Sequence, residues 1–324
     1  MQKRKLGSTD LEFTTIGLGT WAIGGSGWAY GWGSQDENDS QRTILEALSL
    51  GINWIDTAAV YGLGRAETIA GKALKQAKQP VYIATKCGLI GAKNGKAIKP
   101  CLRQASVIKE CEESLRRLNV EVIDLYQIHW PMPPEEIEEG FAALLRLKEQ
   151  GKIRWAGVSN FSREQLAQIS PLGHIASLQP PYSLLRRDVE KDSLDWCAEH
   201  RCGVVAYSPM QCGVLTGKVT AEWVASLADD DWRKTKLEYL QPEKLPCVIS
   251  LVDRLREIAA KTGHNPAQLA VAWVLRRSEV TSAIVGARKP GQIREIIAAA
   301  DWTLGAEDLT EIENAYQDFL SRSN

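Results

Sequence analysis

The stretch Asn53-Trp54-Ile55-Asp56-Thr57-Ala58-Ala59-Val60-Tyr61-Gly62 reads as a short buried strand that ends on a carboxylate, with a tyrosine five residues further on. Tryptophan and isoleucine suit the pleated surface of a sheet, but an aspartate that closes an apolar run must face either water or a partner. Which of the two applies is decided by the rest of the chain.

The pattern recurs. Apolar or β-branched runs appear as TTIGLGTW, INWIDTA, VYIATKC, VIDLYQIHW, IRWAGVSN, IASLQPPY, GVVAYSP and VTSAIVGAR, with amphipathic segments between them. One such segment, EEIEEGFAALLRLKEQGK, is closed by Gly151 and Lys152; another, NPAQLAVAWVLRRS, opens on an Asn265 cap with Pro266 at the first helical position. Alternating strands and helices imply a parallel sheet. Eight such strands, in units of roughly 40 residues, fit a closed (β/α)8 TIM barrel better than an open doubly wound sheet. No Pro/Gly/Ser-rich linker divides the chain, so residues 1–324 read as one domain. Two places break the rhythm. KRKLGSTDLEFT reads as an N-terminal hairpin turning at Gly7-Ser8-Thr9-Asp10, and roughly 70 residues between the seventh and eighth strands form a connection long enough to carry loop function.

Gly17-Leu18-Gly19-Thr20-Trp21-Ala22 fits the spacing of a dinucleotide-binding fingerprint, but that fingerprint requires a helix to open at once. Here the chain continues into GGSGWAYGWGS, which is too rich in glycine to open one, and the Rossmann reading is set aside.

Charge narrows the function. Lys and Arg number 39 against 40 Asp and Glu, so no excess points to nucleic acid or to an anionic membrane, and a small-molecule protein is expected. The N-terminal MQKRKLGSTDLEF lacks the apolar core of a signal peptide, and no run approaches the ~18 apolar residues of a membrane span. A soluble, cytoplasmic protein is therefore expected. The seven cysteines (87, 101, 111, 197, 202, 212 and 247) form no CxxC pair and no zinc-spaced cluster, and read as reduced thiols, mostly buried and inert.

The opening aspartate is one of a set. Polar residues close nearly every strand: Asp56, Lys86, His129, Asn160, Gln179, Ser208 and Arg288. In a (β/α)8 barrel these C-terminal ends open on one face, where the chemistry of that fold sits. Contact with water accounts equally well for Asn160 or Ser208 taken singly. It accounts poorly for Asp56, Lys86 and His129 together, because charges are seldom placed at the end of buried strands without partners. An acid and a lysine beside a tyrosine make a proton donor: a cation within about 4–6 Å of Tyr61 favours the phenolate and lowers a reference pKa of about 10. Lys86 is that cation, Asp56 holds it charged and aimed, and His129 orients a carbonyl oxygen or shares the proton. Such a site protonates an oxyanion as it forms, and its missing partner is a hydride donor.

The blocks GLGTW, NWIDTAAVYGLGRAET, VYIATKCG, DLYQIHWP, IRWAGVSNF, LQPPYSLLRR, YSPMQCGVLTGK and IVGARKPGQI, in this order, resemble the aldo-keto reductase family across nearly the whole chain. GARKPGQ and DWTL are most similar to its bacterial general-stress-protein branch. The resemblance implies NADPH-dependent reduction of an aldehyde or ketone, with Asp56, Tyr61, Lys86 and His129 in the places of the catalytic tetrad. It implies that Thr20, Trp21 and Asp56 touch the cofactor, that Ser159, Asn160 and Gln179 hold its carboxamide, and that Tyr207 stacks on the nicotinamide. It further implies Ser208, Leu215 and Lys218 along the pyrophosphate, Gly286, Ala287, Arg288 and Gln292 at the adenosine end, and Arg233 as a contact from the long loop. Cys212 and Ile296 depart from the family, which often carries arginine and asparagine there.

The aromatic loop Trp28-Ala29-Tyr30-Gly31-Trp32, with Trp21 and Trp130, either walls a substrate pocket or packs as loop. The acidic run Ala228-Asp229-Asp230-Asp231 reads as a solvated loop, and no metal site is expected. His174, His200 and His264 read as ordinary packing or surface residues. Two other activities share parts of this pattern: a Schiff-base lyase that uses Lys86 as nucleophile, and a non-enzymatic NADP-binding subunit similar to the potassium-channel β-subunits of the same superfamily.

Overall fold

Each of the eight apolar runs forms a strand in the computed structural model, which describes residues 1–92 and 97–323. They are β1 (Ile16–Gly19), β2 (Trp54–Asp56), β3 (Tyr82–Cys87), β4 (Ile123–Ile128), β5 (Ile153–Ser159), β6 (Ser177–Gln179), β7 (Gly203–Tyr207) and β8 (Val280–Gly286). All pair in parallel with their sequence neighbours, and β8 closes on β1, so the sheet is a barrel without edges. The register sets Gly19 beside Asp56 and Lys86 beside Gln127, which brings the polar strand ends to one level.

The expected hairpin is present, with Lys3–Lys5 antiparallel to Glu12–Thr14. Its Leu6, Leu11 and Phe13 are fully buried and plug the end of the barrel where the strands begin. Phe13 stacks on Trp54 at 4.5 Å, and the Trp54 indole N–H donates to Thr14 O (3.2 Å) and Ser282 Oγ (3.1 Å). Gly17 is required by this plug, since a Cβ there would stand 2.1 Å from the Trp54 ring. One end is therefore closed by packing, and the C-terminal ends of the strands are left for chemistry.

Three features depart from the sequence reading. A second hairpin, Leu89–Gly91 with Ile98–Pro100, rises between β3 and the helix Gln104–Leu118. The connection from β7 to β8 is less loop than expected. A run of short turns, including the helices Ala221–Ala225 and Trp232–Lys236, leads into two full helices, Leu245–Ala260 and Pro266–Leu275. The second begins as its sequence demands: Asn265 Oδ1 accepts from Gln268 N, and Gln268 Oε1 accepts from Asn265 N. After β8 the expected regular helix gives way to turns and a 3-10 segment, Ile297–Asp301. The cause is local, because Gln292 Oε1 accepts from the N–H groups of Arg288 (2.7 Å) and Lys289 (3.0 Å), and Gly291, at φ +89°, donates to Glu46.

Candidate active site

Asp56 and Lys86 stand at the ends of adjacent strands and are both buried, with Lys86 Nζ 2.6 Å from Asp56 Oδ2. The ammonium also donates to Thr57 O (2.8 Å) and to Tyr61 Oη (3.3 Å). A carboxylate and a carbonyl can only accept, so this arrangement suits the protonated lysine, with each N–H given a partner. The Lys86 side chain has no exposure and lies behind the cavity wall. A Schiff base would require it to lose all three bonds and emerge.

Tyr61 lies on the turn after β2. Its oxygen accepts from Lys86, and among the described residues no group accepts its own O–H, which leaves that proton to the cavity. His129, directly after β4, packs edge-on against Tyr61 at 5.6 Å, and its backbone N–H donates to Cys87 O (3.0 Å). One expectation is corrected here. Burial, reinforced by the Asp56 charge and by Tyr207, pushes the Tyr61 phenol well above its ordinary pKa, so desolvation outweighs the neighbouring cation. The phenol therefore holds its proton. Burial likewise draws Lys86 down while Asp56 acts the other way, and burial with the Lys86 charge holds His129 well below its usual range, as a neutral imidazole.

A chain of hydrogen bonds runs outward from Asp56. Gln179 Nε2 donates to Asp56 Oδ1 (2.8 Å) and Ser159 Oγ to Gln179 O (2.8 Å). Asn160 Nδ2 donates to His129 O (2.9 Å), and Tyr207 Oη donates to Asn160 Oδ1 (2.8 Å). Asn160, at φ +64°, is in a left-handed conformation that non-glycine residues adopt where surrounding structure enforces it.

These residues open on a cavity of about 1230 Å³. Of the residues expected at a cofactor, Trp21, Asp56, Ser159, Asn160, Gln179, Tyr207, Ser208, Lys218, Arg233, Gly286, Ala287, Arg288 and Gln292 line it. Thr20 and Leu215 are fully buried behind the wall, where Thr20 donates to Asp56 O through both N (2.9 Å) and Oγ1 (3.1 Å). The segment after β7 is bent to an unusual degree: Ser208, Gln211, Cys212, Gly213 and Gly217 all have positive φ. Such a concave backbone can turn amides toward an anion. At Gly286 a Cβ would meet only Gly19 O, at 4.0 Å, so the floor there is bare backbone. A cavity of this volume lined by amide-bearing and hydroxyl side chains, a bent backbone and two arginines fits a dinucleotide.

Arg288 lies at the far end, with Nε on Gln35 Oε1 (2.9 Å) and Nη2 on Ser34 O (2.6 Å), and among the described residues it has no carboxylate partner. Arg233 is held differently. Asp231 is buried and clamps its guanidinium through two oxygens at 3.0 and 2.7 Å, so this member of the acidic run is not a solvated residue. Arg233 also stacks 4.2 Å from the Trp32 ring. Trp21, Trp28, Tyr30, Trp32 and Trp130 all line the cavity, and Trp232, unremarked in the sequence, stacks on Trp21 at 5.1 Å. Val60, Leu89, Ile98, Pro100 and Met132 complete the wall near Tyr61, and Gln35, Asp36 and Asp39 complete it near Arg288. Sequence reasoning missed these. A signal existed for Leu89 and Ile98, since Asn94-Gly95 between apolar runs is a hairpin pattern, although those two residues lie outside the described ones. Among the described residues no cluster of potential metal ligands occurs, no helix is long and apolar enough to cross a membrane, and all seven cysteines are free.

The sequence model of the Aldo/keto reductase family matches residues 15–317. Aldo-keto reductase YhdN of Bacillus subtilis (strain 168) is 38% identical, covering 99% of this chain and 95% of the relative. The NADH-specific methylglyoxal reductase of Escherichia coli (strain K12) is 36% identical, covering 96% and 97%. Among solved structures, the glycerol dehydrogenase AKR11B4 from Gluconobacter oxydans superposes with a TM-score of 0.87 at 38% identity, covering 99% of this chain and 96% of that one.

Proposed function

Since the chain belongs to the aldo/keto reductase family, oxidoreductases that act on carbonyl substrates with nicotinamide cofactors, we propose that it reduces aldehydes or ketones to alcohols with NADPH and with Tyr61 as general acid. The observation that carries this reading is the buried Lys86–Asp56 pair set beneath a tyrosine that lines the cavity and whose hydroxyl has no acceptor among the described residues.

Reduced nicotinamide supplies a hydride to the carbonyl carbon. Ser159, Asn160 and Gln179 would hold its carboxamide, Tyr207 its ring, Ser208 and Lys218 the pyrophosphate, and Gly286, Ala287, Arg288 and Gln292 the adenosine end. As charge develops on the carbonyl oxygen, that oxygen takes the proton of Tyr61 Oη, and His129, neutral beside it, orients the substrate by hydrogen bonding. The phenolate left behind is stabilised by the Lys86 ammonium 3.3 Å away, and it regains a proton from water through the open cavity. Asp56 keeps Lys86 aimed, 2.6 Å from its ammonium. The free thiols and the lack of a spanning helix among the described residues support a cytoplasmic enzyme.

The preference for NADPH rests on Arg288. A half-buried guanidinium with only neutral partners favours an anion, and a 2′-phosphate matches its planar fork. Asp36 and Asp39, which could instead serve a free ribose hydroxyl, are otherwise engaged: Asp36 Oδ1 caps Asp39 N (2.8 Å) and Asp39 pairs with Arg42. One relative is named for NADH specificity, so both nucleotides belong in the test. Steady-state oxidation of NADPH and NADH against a panel of aldehydes, ketones and sugars is expected to show turnover with faster use of NADPH. Tight NADPH binding with no turnover on any carbonyl would favour a regulatory subunit instead.

A further inference from the structure

Two buried carboxyl groups hold the two feet of the second hairpin. At the first foot Gly88 N donates to Glu110 Oε2 (2.9 Å), and at the second Leu102 N donates to Glu136 Oε2 (2.7 Å). The feet are joined where Cys101 N donates to Gly88 O (3.1 Å). Gly88, at φ +89°, turns the chain directly out of β3, and a Cβ there would stand 2.5 Å from Leu102 Cδ2. Its neighbours on either side belong to the site. Cys87 O accepts from His129 N (3.0 Å), and Leu89 lines the cavity with Ile98 and Pro100 of the same hairpin.

The two carboxyl groups are not alike. Glu136 has its charge met, since its Oε1 lies 2.7 Å from Arg103 Nε. Glu110 has no cation within salt-bridge distance among the described residues, and Arg117 of its own helix is turned to Glu67 (2.6 Å) and Glu113 (3.7 Å). Glu113 adds a second negative charge, and the Cys87 thiol of β3 and the Tyr126 phenol of β4, both pushed well above their ordinary range by burial, bring none that could meet it. A protonated Glu110 serves both of its partners, because Oε2 accepts from Gly88 N while the Oε1 hydroxyl can donate to Ser106 Oγ (3.0 Å). An ionised one lacks a counter-charge and is relieved by water, which competes for the Gly88 bond. We propose that Glu110 is a positioning residue of the carbonyl site, holding Gly88, and with it the Leu89 side of the cavity, firmly as a neutral acid and loosely as a carboxylate. This rests on the reductase reading above and adds a residue that acts on the site from behind, without touching substrate or nucleotide. Burial sets the carboxyl at about 7 in the held state against 4.5 when solvated, so the held state binds more protons between these values; it is favoured at low pH and gives way as pH rises through about 7.

Amide hydrogen exchange of the full chain reads the first foot without any turnover. After correction for the intrinsic pH dependence of exchange, protection of the Gly88 N–H is expected to fall about tenfold between pH 6 and pH 8, the change that a group titrating at about 7 imposes across that interval. Leu102, held by the ion-paired Glu136, is expected to stay level. Glu110→Gln keeps an acceptor for Gly88 and cannot ionise, so its Gly88 protection should be high and independent of pH; Glu110→Ala removes the acceptor and should lose the protection at both. In steady-state reduction of butanal with saturating NADPH, KM of the parent is expected to rise several-fold over the same interval and that of Glu110→Gln to stay flat, while kcat follows one pH course in both. A role in general stability alone would not separate KM from kcat. Gly88 protection that does not change with pH in the parent, an equal change in Glu110→Gln, or a difference carried by kcat would overturn the assignment. If butanal is not consumed at all, the reductase reading fails separately, and exchange at Gly88 alone upholds or overturns the role of Glu110.

Discussion

Replacing Glu110 by glutamine should make the protein more stable at pH 8 and little different at pH 5. Glu110 lies on the helix Gln104–Leu118 and is almost fully buried against the end of β3. Its Oε2 accepts from Gly88 N (2.9 Å) and its Oε1 from Ser106 Oγ (3.0 Å). Burial is the largest influence on the carboxyl and raises its pKa from 4.5 to about 7; the Gly88 and Ser106 hydrogen bonds and Arg117 oppose it, and Glu113 adds to it. A folded-state pKa above the unfolded one means that the folded protein binds more protons between the two values. The stabilisation is complete below about 4.5 and is lost as pH rises through about 7. A carboxyl raised from 4.5 to about 7 costs roughly 3 kcal/mol once it is fully ionised in the folded protein. Glutamine keeps an acceptor for Gly88 N–H and cannot ionise, so it escapes this loss. Urea unfolding of both proteins at pH 5 and pH 8 measures it: the advantage of the variant should grow by about 2–3 kcal/mol between the two. An equal loss of stability at both pH values would refute the reasoning, because it would mean that the carboxylate is satisfied at its full charge.

Three further outcomes follow from the geometry. Lys86→Met should lower stability by about 3–5 kcal/mol, since it leaves the buried Asp56 without its cation, and adding Asp56→Asn should restore part of that; denaturant titration of the single and double variants decides it. Arg288→Ala should weaken NADPH by about 1.5–3 kcal/mol while leaving NADH nearly unchanged, and an equal loss for both nucleotides in a fluorescence titration would show that Arg288 holds something other than the 2′-phosphate. Gly17→Ala should destabilise the barrel by more than the roughly 1 kcal/mol of an ordinary glycine substitution, because the new Cβ meets the Trp54 ring at 2.1 Å; a melting temperature equal to that of the parent would contradict the account of the plug.

The barrel was legible because its strands are buried on both faces and read as continuous apolar runs, and because Asp56, Lys86 and Gln179 interrupt those runs where the strands open on the cavity. Residues that act through distant contacts were not legible. Asp231 looks solvated in ALADDDW, and only the fold turns it inward onto Arg233. Asp36 and Asp39 reach the cavity beside Arg288 because the helix Glu37–Ser49 starts there, which no spacing announces. The direction of the Tyr61 shift was misjudged for a related reason: the sequence shows a cation nearby but not the depth of burial, and burial dominates. The second hairpin was missed because its strands have only three residues each, too few for a period to register.

The central claim is that Tyr61 gives its proton to a carbonyl oxygen held above a buried Lys86–Asp56 pair. The most direct measurement is steady-state reduction by Tyr61→Phe alongside nucleotide titration, since the change removes one hydroxyl and leaves the groove lining intact. NADPH affinity within about twofold of the parent and a kcat lower by about 10²–10⁴ are expected. A kcat within about tenfold of the parent, a barrier difference of only ~1.4 kcal/mol, would contradict it.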